Sequence, residues 1–310
     1  MEMKTTPKVA YVFPGQGSQS VGMGYDLCLS SPAAKRVFDE ADQALDIPLS
    51  RLCFEGQEED LRQTVNAQPA IMTMSIACLR VAIEHNNLPK PSFVAGHSLG
   101  EYTALVAANT VDFADGLRLV RERGRLMQEA GEQRPGSMAA IIGLDKNSLE
   151  EVCQKSGAQI ANINSPEQIV ISGPEEAVAR AIELAKARGA RKAILLHVSG
   201  AFHSTLMQSA VDKMAHAISQ TTLRSPEVPI IANSTAQPLT TADEVKEELL
   251  QQLCNCVKWQ PSVEYIMGNG VSTFIEIGPG RVLSGLIKRI HGEAQVFNMN
   301  DMASIQAINF

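Results

Sequence analysis

The sequence predicts an α/β protein whose mainly parallel sheet is interrupted by a smaller α+β unit. Three observations point there. Short apolar runs such as KVAYVF (8–13) and SFVAG (92–96) end in turn residues and alternate with helical periodicity. That alternation builds a parallel sheet covered on both faces. The middle of the chain reads β-α-β-β-α-β within about 60 residues, the ferredoxin-like signature. The length, 310 residues, exceeds the usual single-domain size and suits one large unit plus a small one.

In order along the chain, residues 8–13 read as a buried strand closed by Pro14. Residues 34–45 and 68–85 carry helical periodicity, and 92–96 is a second buried strand. Helices follow over 99–108 and 112–130, with Asp112 as the expected N-cap. In the middle, 136–143 is a strand, 146–156 a helix, 158–163 and 167–172 strands, 174–188 a helix and 191–196 a strand. Pro135-Gly136 and Ser199-Gly200 mark the crossings between units. A helix covers 205–219, STFIEIGPG (272–280) is a strand running into a turn, and 281–290 is a helix. Residues 296–310 receive no assignment. The expected division is 1–133 with 199–310 as the larger domain and 134–198 as the inserted small one.

Composition narrows the function. Apolar residues make up 45% and aromatics 5%, so a sizeable core must rest on aliphatic side chains. The 27 basic against 34 acidic residues leave a net charge of −7, which argues against nucleic acid as the main partner. The six cysteines form no CxxC pair and no zinc-like cluster, so they read as reduced, mostly buried thiols and no metal site is expected. The N-terminal residues lack a secretory pattern and no apolar run reaches membrane-spanning length. A cytoplasmic protein without a membrane partner is the expectation.

Residues 96–100, Gly-His-Ser-Leu-Gly, form a G-x-S-x-G between the strand at 92–96 and the helix at 99–108. That context makes Ser98 a nucleophile on a sharp strand-to-helix turn, with the Leu99 N–H as the natural first oxyanion donor. The competing view is a tight turn in which Ser98 only caps the helix. A serine hydroxyl needs a base. Of the six histidines, His97 is adjacent but should diverge from Ser98, and His85, His216 and His291 suit solvated positions. His203 lies in a loop before a helix, where catalytic groups are often held, and His197 is its competitor.

Six blocks carry a family resemblance: FPGQGSQSVGMG (13–24), GHSLGEYTALVAA (96–108), LVRERGRLMQ (119–128), NSPEQIVISG (164–173), SGAFHSTLM (199–207) and EIGPGRVLSGL (276–286). In order and spacing the chain resembles malonyl-CoA:acyl carrier protein transacylases along nearly its whole length. The resemblance implies an α/β-hydrolase-like core with a ferredoxin-like insertion, and a monomer. It matches Ser98 to the acylated nucleophile and His203 to the general base, acting as a dyad without an Asp. It matches Gln16 to a backbone N–H that joins that of Leu99 in the oxyanion hole, and Arg123 to the arginine that holds the malonyl carboxylate. It also matches Gln252 to a main-chain carbonyl that orients the histidine. His97 and Phe202 fall in the expected substrate pocket, Phe202 favouring a small extender unit. Without the resemblance, Arg123 would read as a surface arginine between Arg121 and Arg125, and Gln16 as part of a turn. Cys256 stands where the family block often carries proline.

The implied reaction moves a malonyl group from malonyl-CoA to the phosphopantetheine thiol of an acyl carrier protein, with coenzyme A released and no bound cofactor. A serine esterase or thioesterase would share the elbow and His203 without needing Arg123. A non-catalytic interaction domain would leave Ser98 inert. Carrier proteins of such systems are acidic, so a basic patch is expected: Lys186, Arg188, Arg191 and Lys192, or Arg281, Lys288 and Arg289. Whether such a carrier serves fatty-acid or polyketide synthesis is open at this point.

Overall fold

The run VAYVF shows no polar alternation because both of its faces are buried. Val9, Tyr11 and Phe13 enter one core cluster, while Ala10 and Val12 enter another. In the computed structural model, which describes residues 8–85 and 88–308, this run is strand β1 (Val9–Phe13). The other strands are β2 (Phe93–Gly96), β3 (Ser137–Ile142), β4 (Gln159–Ser165), β5 (Gln168–Gly173) and β6 (Lys192–Leu195). After them come β7 (Ile230–Ile231), β8 (Pro238–Leu239), β9 (Thr273–Ile277) and β10 (Gln295–Met299).

The larger sheet has the order β10-β9-β1-β2-β7-β8 and is parallel except for the β7–β8 hairpin. Helices Pro32–Leu45, Thr64–His85, Leu99–Ala107 and Phe113–Gln133 contribute to the cluster on one face. Helices Trp259–Gly268 and Val282–Ile290 contribute to the cluster on the other. Among the described residues, no helix is long and apolar enough to cross a membrane. All six cysteines are free, three of them buried and three half-buried.

The smaller sheet has the order β4-β5-β3-β6 and is antiparallel throughout. Helices Lys146–Ser156 and Glu175–Ala187 cover one face, packing on Ala139, Ile141, Ile169 and Ile171. The alternate residues Met138, Ala140 and Val170 face the large unit and join its core. Two backbone hydrogen bonds also tie β4 to the large unit: Val257 N–H to Ala161 O at 2.8 Å and Ile163 N–H to Val257 O at 2.9 Å. The chain enters and leaves this unit side by side, since a Cβ on Gly131 would lie 2.4 Å from Ser199 O.

Several expectations change. The helix expected over 68–85 begins at Thr64 and carries Pro69 in its second turn. The Phe113–Gln133 helix packs its Gly124 against Thr64 and Val65, the first residues of the Thr64–His85 helix. Asp112 sits at its N-cap position but forms no cap; its carboxylate pairs with Arg224 at 2.7 Å instead. The segment expected as one helix over 205–219 opens with a 3-10 turn, Thr205–Met207, before the α-helix Gln208–Ser219. The unassigned C-terminal segment supplies edge strand β10 and helix Met302–Ala307, as far as the described residues reach.

Candidate active site

Ser98 joins β2 to the Leu99–Ala107 helix with φ 53° and ψ −104°, a backbone conformation costly for a residue with a Cβ. Two glycines make the turn possible by close approach. A Cβ on Gly96 would lie 1.9 Å from Gly100 C, and one on Gly100 would lie 2.0 Å from Phe13 O. Asn233, just after β7, clamps the turn on both sides. Its Oδ1 accepts Ser98 N–H at 2.7 Å, and its Nδ2–H donates to Gly96 O at 2.7 Å.

His203 is 4% exposed, and its Nε2 lies 2.8 Å from Ser98 Oγ. Its Nδ1 lies 2.8 Å from Gln252 O. A carbonyl only accepts, so Nδ1 carries the proton and Nε2 is free to receive one from Ser98. Burial, followed by the neighbouring Arg123 guanidinium, pushes the imidazole down to about 3. The ring is therefore neutral across the ordinary pH range. The Gln252 contact is made with Cys256 four residues on, and the next residue, Val257, is tied to β4 by two backbone hydrogen bonds.

Arg123 is not on the surface: it is 1% exposed, while Arg125 pairs in solvent with Glu122 and Glu129. Its Nη1–H donates to Gln68 Oε1 at 2.9 Å. Its Nη2–H donates to Gln252 Oε1 at 2.7 Å and to Ser98 Oγ at 3.1 Å. The guanidinium carbon lies 5.1 Å from the centre of the Tyr102 ring, and Nε is buried with no hydrogen-bond partner. The amide, hydroxyl and ring partners are all neutral, so the cation has no carboxylate bound directly to it.

These groups open on a cavity of about 530 Å³ lined by Gln16, His97, Ser98, Leu99, Arg123, Phe202 and His203. The small sheet supplies the opposite wall through Met138, Ala140, Asn162, Asn164 and Val170. The volume suits a small organic ligand. Gln16 reaches the wall from the turn after β1, with its Nε2–H on Thr64 Oγ1 at 3.2 Å. His97 turns away from Ser98, as expected, with Nε2 at 2.8 Å from Asn164 Oδ1 and its ring 5.8 Å from that of Trp259. Phe202 is buried against the cavity. His197 is exposed at the cavity mouth, and His85, His216 and His291 are exposed. Every residue singled out for the site thus lies on one cavity except Gln252, which stands directly behind it.

Glu101, Gln68 and Asn233 were not singled out from the sequence, yet each hydrogen-bonds a residue of this cluster. Asn233 and Gln68 lie in no motif, and only the fold brings them in. Glu101 falls within the elbow block, one turn after Ser98. Its burial was legible in principle, since it follows a tight turn into a helix that faces the core. Burial, and then the nearby Glu248 carboxyl, push Glu101 well above the usual carboxylate range.

A serine hydroxyl bonded to a neutral histidine, at the end of a parallel strand and beside a buried guanidinium, defines the class: an acyl-transfer enzyme. The chain belongs to the acyl transferase domain family, whose profile covers residues 10–306. It is 46% identical over 304 residues to the malonyl CoA-acyl carrier protein transacylase of Bacillus subtilis strain 168, covering 96% of this chain and 95% of that one. The acyl-carrier-protein-S-malonyltransferase of Bartonella henselae has a similar crystal structure, with TM-score 0.93, 44% identity and coverage of 97% and 98% of the two chains. A malonyl-transacylase in complex with its type II polyketide synthase acyl-carrier protein matches with TM-score 0.93 and 42% identity, covering 96% and 97%.

Proposed function

We propose that this acyltransferase moves a malonyl group from malonyl-CoA to the phosphopantetheine thiol of an acyl carrier protein by a ping-pong reaction on Ser98. The observation that carries the reading is Arg123, a buried guanidinium with neutral partners, 3.1 Å from Ser98 Oγ. A charge held there without a bound counter-ion favours an acyl group that brings its own carboxylate.

His203 Nε2 takes the Ser98 proton as Oγ attacks the thioester carbonyl. The N–H groups of Gln16 and Leu99 receive the developing oxyanion; as the first residue of its helix, Leu99 has no intrahelical acceptor for its N–H. The Gln252 carbonyl, through Nδ1–H, steadies the imidazolium while it carries the proton. Collapse of the intermediate releases coenzyme A, whose sulfur takes the proton from His203. The carrier's thiol then attacks the malonyl ester by the reverse route. The chemistry is carried by side chains and backbone donors alone, with phosphopantetheine brought by the acceptor.

The small unit is read as a ferredoxin-like domain, 134–198, inserted into a catalytic domain formed by 1–133 and 199–310. Its sheet order and its β-α-β-β-α-β succession support that division. The complex of a related malonyl-transacylase with its carrier protein supports the choice of partner.

The test is intact-protein mass after brief mixing with malonyl-CoA or acetyl-CoA. The expected result is a malonyl adduct on the wild type, little acetyl adduct, and none on Ser98→Ala. Free malonate without a lasting adduct would point to a hydrolase and overturn the reading.

A further inference from the structure

Glu101 is fully buried one helical turn beyond Ser98, and the mechanism above gives it no part. Both of its carboxyl oxygens face donors. Oε1 accepts Asn233 N–H at 2.9 Å, and Oε2 accepts Gln252 Nε2–H at 2.5 Å. The Gln252 amide also donates to Ser98 O at 2.9 Å, so its two N–H groups are both engaged. Its Oε1 is left to receive Arg123 Nη2–H at 2.7 Å. One glutamine thus touches the nucleophile's backbone, the arginine and, through its own carbonyl, the histidine.

We propose that Glu101 is a positioning residue for acyl selection: by holding the Gln252 amide it aims the Arg123 guanidinium at the carboxylate of the acyl group. The proposal rests on the reading of Arg123 given above. The chemistry at position 101 is specific. An amide there could satisfy one of the two donors but would turn its own NH2 against the other. With its second acceptor lost, the Gln252 amide is freer to rotate. A rotated amide sets its N–H groups against Arg123 Nη2–H, donor against donor, and the guanidinium shifts. A shift of about 1 Å is enough to spoil a bidentate pairing.

The two arms of Glu101 have separable effects. The Asn233 arm supports the Ser98 turn, so weakening it slows acylation by any thioester alike. The Gln252 arm leads to Arg123, so weakening it slows only acyl groups that carry a carboxylate. A purely structural role moves both rates together and leaves their ratio unchanged.

The experiment measures Ser98 acylation rates from malonyl-CoA and from acetyl-CoA, by rapid quench and intact mass. The proteins are the wild type, Glu101→Gln, Arg123→Ala and the double variant. Glu101→Gln is expected to lower the malonyl-to-acetyl ratio by about tenfold or more, the scale of a misplaced orienting group. In the Arg123→Ala background the same change should move the ratio less than about twofold, because the two residues act along one path. Equal slowing of both substrates, or an undiminished Glu101→Gln effect on the ratio without Arg123, overturns the proposal. If Glu101→Gln does not melt cooperatively, Gln252→Met takes its place, removing the amide while keeping the carbonyl that His203 needs; an unchanged ratio there also overturns it. A wild type without malonyl preference, or one whose preference survives Arg123→Ala, overturns the Arg123 reading itself and is recognised before any Glu101 variant is compared.

Discussion

At the scale of the residue, the informative contrast is between two cations, one permanent and one refused. Arg123 is accommodated in the core because three of its five N–H donors reach amide and hydroxyl oxygens and its guanidinium lies against the Tyr102 ring. His203, next to it, is denied a proton by burial and by that same charge. Arg123→Lys should therefore fail as a substitute. An ammonium cannot span Gln68 and Gln252 while presenting two parallel N–H groups, and the malonyl preference should fall by about tenfold or more in the mass assay. The histidine gives a pH prediction with a definite sign. Its value is about 3 in the folded chain against 6.5 for a free side chain. Below 6.5 the unfolded state takes up a proton that the folded state refuses, so His203 makes stability fall as pH drops from 6.5 towards 3. The slope is about 1.4 kcal/mol per pH unit. Urea melts across that range should show this slope in the wild type and its loss in His203→Gln; equal pH dependence of the two would refute it. Acylation of Ser98 should likewise hold its rate on acidification to about pH 5, where an ordinary histidine would be charged.

At the scale of the element, the elbow shows how much one turn asks of its neighbours. The serine's left-handed backbone is tolerated because Gly96 and Gly100 let strand and helix touch, and because Asn233 takes the polar groups that the turn leaves exposed. Gly100→Ala should drive a methyl group into Phe13 O and lower the unfolding free energy by about 1–3 kcal/mol, read from the denaturation midpoint. The elbow and most helices and strands were legible in the sequence because each carries its own period or punctuation. VAYVF and the βα turn at 96–100 are local signals. Less was legible where contacts made far along the chain decide. Residues 64–67 start their helix where Gly124 packs closely against Thr64 and Val65, and Asp112 pairs with Arg224 instead of capping. Two-residue strands such as β7 and β8 are too short to show a period at all. Arg123 lies between these cases. Spacing placed it beside two surface arginines, yet it shares a helical face with the buried Leu119, Val120 and Met127, and that stripe already pointed inward.

At the scale of the whole molecule, the proposed function would bring an acidic carrier protein to a chain whose own net charge is −7. The two basic clusters differ in their ties. Lys186, Arg188 and Arg191 are paired with Glu183, Glu151 and Glu167 at 2.9, 2.7 and 2.6 Å, which leaves Lys192 as that cluster's one residue without an ion pair among the described residues. Among the described residues, Arg281, Lys288 and Arg289 make no ion pair, and their helix also supplies Val282 and Leu283 to the cavity wall. The second cluster is therefore the better placed for a carrier protein delivering its thiol to Ser98. Lys288→Glu with Arg289→Glu should raise the KM for carrier protein severalfold at low salt, with the rate of malonyl-Ser98 formation unchanged. Arg191→Glu should have a smaller effect, and the reverse order would move the docking face to the small unit.

The narrow neck where Gly131 meets Ser199 and Gly200 has a further consequence, for how the chain finds its shape. Arg123 and His203 stand on opposite sides of the 134–198 segment, so the site cannot close until that segment's ends meet. Held together by a disordered chain of this length, those ends would cost about 2 kcal/mol more in closure entropy than a four-residue turn. The segment is built from four antiparallel strands, paired in one sheet within it, and two short helices. Once folded, it presents its two ends side by side, and a long detour becomes a tight loop. The folded segment then works as a clasp that holds the guanidinium and the imidazole within reach of one another.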